Sequence, residues 1–216
     1  MKNKKILKII LIIVLVVIVI FAIHVIRNYF IISKIVDMQE NLSSITNFSY
    51  KITPITYEGK TNGVATERYY KDGKNIAIFE TNGTKYILWS DATTNESIMI
   101  NPTELKAVVS SNDVLSSAHM PILLPEGSTS VKLGLSVLSF ITYGEVNGKE
   151  CYVVHWAGVT DYISKENGTY LRTNNVIFSN EEEKFDMIEY SDWTFNELTD
   201  EDVSRPNLTG YEVSYE

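Results

Sequence analysis

The chain has 216 residues, 44% of them apolar, and a formal net charge of −8. Five of its 19 basic residues fall in the first 27 positions and all 27 acids lie at or after Asp37, so the remainder carries a net charge of −13. With no basic stripe in that remainder, the composition argues against nucleic acid as a partner, because phosphate contacts need clustered Lys and Arg.

The first eight residues carry Lys2, Lys4, Lys5 and Lys8 and read as a basic cytoplasmic tail. Residues 9–26, Ile9 to Ile26, hold no formal charge and are almost all Ile, Leu and Val. As a helix they span roughly 27 Å at about 1.5 Å per residue, close to the hydrocarbon thickness of a bilayer. The run exceeds the usual signal-peptide core of about 7–15 residues, and Phe21-Ala22-Ile23-His24 is a poor cleavage site. No cysteine follows it, which removes a lipidated N-terminus. The expectation is an uncleaved single-pass signal anchor in the cell membrane. Four lysines precede the segment, against Arg27 and Lys34 after it, so the positive-inside rule puts the N-terminus in the cytoplasm and the domain outside. His24, within a turn of Arg27, reads as an interfacial residue rather than a functional one.

About 185 residues remain for one well-cored domain. Residues 27–46 continue the helical pattern, with Ile31, Ile32, Ile35, Val36 and Met38 on one stripe. They form either a juxtamembrane stalk or the first helix of the domain; apolar spacing that persists to Leu42 favours a helix lying on the sheet. The β domain then covers 47–216. Its first strand is expected from Asn47 to Tyr57, with Pro54 bending it or marking an edge.

A regular beat follows. Asn62-Gly63, Asp72-Gly73 and Asn82-Gly83 lie ten residues apart and suit two-residue hairpin turns, whose central positions need positive φ. The runs Val64–Lys71, Lys74–Thr81 and Thr84–Asp91 become strands of an antiparallel meander. Turning at Asn82-Gly83 pairs Glu80 with Lys85, Phe79 with Tyr86, Ile78 with Ile87 and Ile76 with Trp89; turning at Asp72-Gly73 pairs Tyr69 with Ile76 and Glu67 with Ile78. One face then shows Tyr69, Ile76, Ile78, Ile87 and Trp89. The other shows Ala77, Phe79, Tyr86 and Leu88 beside Arg68 and Tyr70. Both faces are partly apolar, so both need cover, by helices, further sheet or a ligand.

Glu96–Ile100 reads as a short strand, and Thr103 to Gly127 as irregular, with a short helix over Asn112–Ala118 and prolines at 121 and 125. Such a stretch is either a lid or rim or a plain loop. Val131–Phe140 fits helical and alternating templates about equally and is read as a helix capped by Ser128 or Ser130. Ile141–Val146 and Lys149–Trp156 form a hairpin about Asn147-Gly148, pairing Tyr143 with Tyr152 and Ile141 with Val154. Asp161–Ser164, Thr169–Phe178 and Glu183–Phe195 complete the strands. Thr199-Asp200-Glu201-Asp202 suggests a capped helical turn stopped by Pro206.

Reactive signatures are missing: no HExxH, GxSxG, SxxK, phosphate loop or GxGxxG occurs. Cys151, the single cysteine, reads as a buried thiol; His155 on the same strand is about 13 Å along and too far to serve as its base. His119 and His155 have no partners at metal spacing, and the acids 200–202 lack the pattern of a Ca²⁺ loop. No catalytic residue, metal or cofactor is assigned.

Phe48–Ile52, Arg68-Tyr69-Tyr70-Lys71-Asp72-Gly73, Lys85-Tyr86-Ile87-Leu88-Trp89, the hairpin Asp161–Arg172 and the tail Thr199–Val213 form one layout. Together they resemble the LolA-like family of bacterial lipoprotein-carrier and lipid-binding domains. Two features depart from the family: Ser164 stands where an Asp is usual, and there is no lipobox. The resemblance implies an α+β fold, mainly antiparallel: a curved sheet or incomplete half barrel with covering helices. It also implies an apolar cavity for acyl chains, lined by Tyr69, Ile76, Ile78, Ile87 and Trp89 or else by Phe79, Tyr86 and Leu88. The expected function is a non-catalytic, membrane-anchored domain binding lipid or a lipidated envelope protein. The alternative is an envelope sensor or scaffold that binds protein or peptide.

Overall fold

The computed structural model describes residues 2–56, 65–111, 129–175 and 185–216. Expectations for Asn62-Gly63, for the helix over Asn112–Ala118, for His119 and for the cap at Ser128 lie outside those residues. A single helix, α1 (Lys2–Ser43), runs without a break from the apolar segment into the amphipathic stretch. Twelve strands follow. The first six are β1 (Asn47–Thr56), β2 (Thr66–Lys71), β3 (Lys74–Thr81), β4 (Thr84–Asp91), β5 (Glu96–Asn101) and β6 (Lys106–Ser110). After helix α2 (Thr129–Leu138) come β7 (Phe140–Val146), β8 (Lys149–Trp156), β9 (Val159–Ser164), β10 (Tyr170–Asn175), β11 (Phe185–Phe195) and β12 (Glu212–Tyr215).

All twelve form one open sheet in the order β12-β6-β5-β4-β3-β2-β1-β11-β10-β9-β8-β7. The fold is α+β, a large and mostly antiparallel curved sheet. Two meanders of neighbouring strands, β1–β6 and β7–β11, are joined where β1 pairs with β11. The meander register is the one the turn chemistry dictates: Glu80 opposes Lys85, Ile76 opposes Trp89 and Tyr69 opposes Ile76. At Asp72-Gly73 and Asn82-Gly83 both turn residues have positive φ, as a tight twisted hairpin requires. Pro54 pairs with Ile188 of β11, and among the described residues the pairing of β1 with β2 stops at Ile52, a place near a strand's end where a proline is tolerated.

Three expectations need correction. Thr103–Gly127 is not irregular throughout, since Lys106–Ser110 is a strand paired on both sides, to β5 and β12. Residues 212–215 form β12, the only parallel pairing among the described strands. Both runs are too short and too weakly patterned to be read alone; neighbouring strands supply the reason to extend. The segment opened by Thr199 is a turn rather than a helix. Its capping chemistry is present, because the Thr199 N–H and hydroxyl both donate to the Asp202 carboxylate, but Pro206 leaves no room to propagate it.

Cover comes from different elements on the two halves of the sheet. Antiparallel partners share a face, so Ile141, Val154, Asp161, Thr173, Ile188, Pro54 and, four residues back along β1, Tyr50 share one surface. The second half of α1 lies there. Ile31, Ile32, Ile35 and Val36 pack with Ile141, Tyr152, Val154, Ile163 and Tyr170, and Leu42 packs on Phe48 and Tyr50. The helix therefore belongs to the domain core. Polar contacts fix its position. Asn28 donates to the carbonyls of Ser136 and Ser139 at the end of α2, and Gln39 donates to the Gly168 carbonyl. Gly168 has φ +80, and a Cβ there would stand 2.8 Å from the Met38 Cβ. Only glycine lets the β9–β10 turn touch the helix so closely.

Candidate functional site

The five residues Tyr69, Ile76, Ile78, Ile87 and Trp89 lie together on one face, as the register requires. That face is the one opposite α1: Tyr69 pairs with Ser49, whereas Phe48 and Tyr50 carry the helix contact. Trp89 is 2% exposed and packs with Ile98, Ile100, Ala107 and Val109. Ile76 and Ile87 adjoin this cluster, as do Leu208, Tyr211 and Val213 of the C-terminal segment. The Trp89 indole N–H donates to the Val203 carbonyl at 3.0 Å. The chain's own tail thus occupies the space in front of Trp89. Tyr69 and Ile78 on the same face are half-buried, and the Tyr69 hydroxyl donates to the Glu67 carboxylate.

Phe79, Tyr86 and Leu88 stand on the α1 side. Phe79 and Tyr86 stack at 5.7 Å, and Leu88 pairs across to Met99, which is 43% exposed. A separate group of rings on the same face lies under the end of α1, with Arg68 of β2 between the two groups in the pairing. Trp193 stacks on Tyr50 at 4.5 Å, and Tyr70 stacks on Phe48 at 5.0 Å. A bulge in β11, with Asp192 at φ 53, turns Trp193 onto Tyr50. The helix side of the sheet thus carries a second apolar strip, half-exposed, apart from the rings under α1. Sequence reasoning found Phe79, Tyr86 and Leu88 but not the others on that face. Met99 belongs to a strand recognised only as an isolated run, and Trp193 is turned by a bulge with no turn-type signature.

The titratable groups of the described core do not form a reaction centre. Asp161 is buried and its carboxyl is held above the usual range, mainly by burial, although the Trp156 indole and the Thr173 hydroxyl both donate to it. Tyr190 beside it is pushed up to about 12 by burial. Cys151 is fully buried, and burial raises its thiol pKa, opposite to the shift that activates a nucleophile. The His155 ring bonds the Thr160 hydroxyl rather than a carboxylate or thiol. Among the described residues no group of three or more His, Cys, Asp or Glu is placed to hold a metal ion. A surface depression of about 510 Å³ is bordered by Thr94, Glu96, Ser110 and Glu216, and another of about 380 Å³ by Lys149, Glu150 and Lys165. The first also has Val109 and Tyr215 on its wall, whereas the second is edged mainly by charged side chains.

The first half of α1 makes a different kind of surface. From Ile6 to Ile26 its large apolar side chains are exposed, and the helix is long and apolar enough to cross a membrane.

No family model matches the sequence, and no curated protein matches it. Among solved structures, an uncharacterized conserved protein from Thermus thermophilus aligns with a TM-score of 0.51 at 10% identity, over 85% of this chain and 98% of that one. That likeness shows a shared fold. A LolA superfamily protein from Nitrosomonas europaea aligns with a TM-score of 0.32 at 8% identity, over 80% of this chain and 97% of its own. A putative outer membrane lipoprotein-sorting protein domain from Vibrio parahaemolyticus aligns at 0.29 and 13% identity, over 78% and 94%.

Proposed function

We infer that the chain is a membrane-anchored, extracytoplasmic, non-catalytic domain that binds the acyl chain of a lipid or lipidated envelope protein. The observation that carries this reading is the strip of Phe79, Tyr86, Leu88 and Met99. It is apolar and half-exposed, and it lies on the same face of the sheet as the surface that α1 covers. An acyl chain laid there would lie on the side of the sheet where Leu42 packs on Phe48 and Tyr50. Burial of such surface is the usual driving force for apolar ligands. Tyr69 and Ile78 are left as a minor apolar surface on the opposite face. The continuity of α1 supports the anchor, because the helix that enters the core is the one with the exposed apolar span. The inert settings of Cys151 and His155 support a binding role over a reaction.

The test uses the full chain in lipid nanodiscs doped with a fatty acid carrying a photoactivatable diazirine. Adducts on peptides containing Leu88 and Met99, lost in Leu88→Asp, are the expected result. Adducts confined to residues 6–26 would leave an anchor but no acyl site and would overturn the binding reading.

A further inference from the structure

A second apolar surface surrounds the point where α1 enters the domain. It is built from α2 and the start of β7. Leu138 is 78% exposed, Phe140 58% and Tyr143 56%, and Val131, Leu133 and Val137 are exposed along the same short helix. α2 turns only part of its apolar content inward: Leu135 joins the core under α1, and Ser136 is buried. Left in water, so many large apolar groups in one place mark an interaction surface.

The partner follows from where α1 puts this surface. The uncharged run of the helix ends at Ile26, and His24 is two residues inside it, about 3 Å at 1.5 Å per residue. The Phe140 ring stacks against the His24 ring at 6.2 Å. One step outward, the Arg27 guanidinium donates to the Ile141 carbonyl at 2.9 Å and sits 5.4 Å from the Tyr143 ring centre. Asn28 binds the carbonyls that end α2, at Ser136 and Ser139. Asn28 is fully buried, so its two bonds hold the end of α2 against the helix. If the apolar run spans a bilayer, Phe140 is held at the depth of the last turn of the span. That depth is the boundary where the hydrocarbon meets the headgroup band, which is roughly 5–8 Å thick on each side. The electrostatics agree. Lys165 lies 4.7 Å from the same Tyr143 ring and also pairs with Glu150 at 3.3 Å. Arg27 and Lys165 beside the exposed Tyr143 ring suit lipid headgroups, and they occur here in a domain that is otherwise strongly acidic.

We propose that Val131, Leu133, Val137, Leu138 and Phe140 form a membrane-docking surface that dips into the interface of the same bilayer that holds α1. The docking fixes the domain's orientation: β7 and α2 face the lipid, and the β4–β5 turn points away. The proposal rests on the reading of α1 as a membrane span. It adds that the domain lies on the bilayer rather than standing off it on a stalk.

The test is site-directed spin labelling of the full chain in nanodiscs of phosphatidylcholine and phosphatidylglycerol. The native Cys151 is fully buried, so nitroxides are attached at Ile18→Cys, Leu138→Cys or Ala92→Cys in separate proteins. Oxygen, which concentrates in lipid, and a water-soluble nickel chelate report depth from the relaxation of each label. The expected order is Ile18 deepest, Leu138 shallower but still favouring oxygen, and Ala92 in water. Val131→Cys should match Leu138, which guards against a local disturbance at one site. Lipid-like Ile18 with water-like Leu138 and Val131 would overturn docking and leave the anchor intact. A water-like Ile18 would overturn the anchor and the docking together.

Discussion

The two halves of this sheet are covered from opposite sides. The half made by β7–β11 is closed by α1 on one face, with Ile32, Ile35 and Val36 set against Ile141, Val154 and Ile163, all fully or almost fully buried. The half made by β3–β6 is closed on the other face by the C-terminal segment, with Trp89 and Ile98 beneath Leu208, Tyr211 and Val213. In an ordinary two-layer fold one face of the sheet is apolar throughout. Here the apolar requirement changes face along the strand order, and β1, with Phe48 and Tyr50 turned toward Leu42, still belongs to the helix side. The lesson concerns location. On the helix side of β3–β5, Phe79, Tyr86 and Leu88 are half-buried and Met99 is exposed, although Asn75, Ala77 and Ser90 on the same face are buried.

The comparison predicts two separable cores, and its most severe test is Trp89→Ala. Removing this side chain deletes a buried indole and its bond to the Val203 carbonyl, a loss of about 3–5 kcal/mol. Hydrogen exchange should show β4–β6 and the C-terminal segment losing protection first, with β7–β9 retained. Equal loss in both halves would mean one cooperative unit. Gly168→Ala attacks the helix side instead. A Cβ at φ +80, 2.8 Å from the Met38 Cβ, costs about 1–3 kcal/mol through backbone strain and overpacking. Urea melts should show the drop, and the loosened element should be α1 rather than the tail.

Asp161 provides a probe of the helix-covered core by pH. Its carboxyl is raised in the folded state, mainly by burial, so the native protein holds the proton more tightly than the unfolded chain. The stability it contributes is fully present below the ordinary carboxylate pKa and is lost as pH rises through the raised folded value. Asp161→Asn should flatten that decline while leaving the response of the tail-covered half unchanged, as thermal melts across the acid range would show. The smallest effect belongs to the pair that ties the tail to β5. Arg205 meets Glu96 through two bonds, at 2.7 and 3.1 Å, with the arginine half-exposed. Arg205→Ala should cost about 0.2–1 kcal/mol, and high salt should shrink the difference.

Legibility in the sequence followed the range of the interactions concerned. The meander register came from two dipeptides whose φ requirements are local, and Glu80 opposite Lys85 or Tyr143 opposite Tyr152 stand where alternation puts them. Asn28 to Leu42 declared its packing stripe because helical spacing needs no knowledge of the partner. β6 and β12 stayed hidden because a five-residue and a four-residue strand extend only when a neighbour offers hydrogen bonds. The candidate site was half legible. Register separated the two faces, yet nothing within β2–β4 says that a segment more than a hundred residues later fills the space in front of Trp89.

By itself, then, the sequence determined the apolar span, the acidic β domain, the turn-by-turn pairing and the two apolar faces of the meander. Each of these depends on residues a few positions apart. Tertiary structure alone decided which face each cover takes, that α1 joins span and core in one rod, and that α2 and Phe140 stand beside His24. Those outcomes are long-range: they arise when Asn28, Arg27 and Gln39 find carbonyls more than a hundred residues away, and no local pattern records which carbonyls those will be.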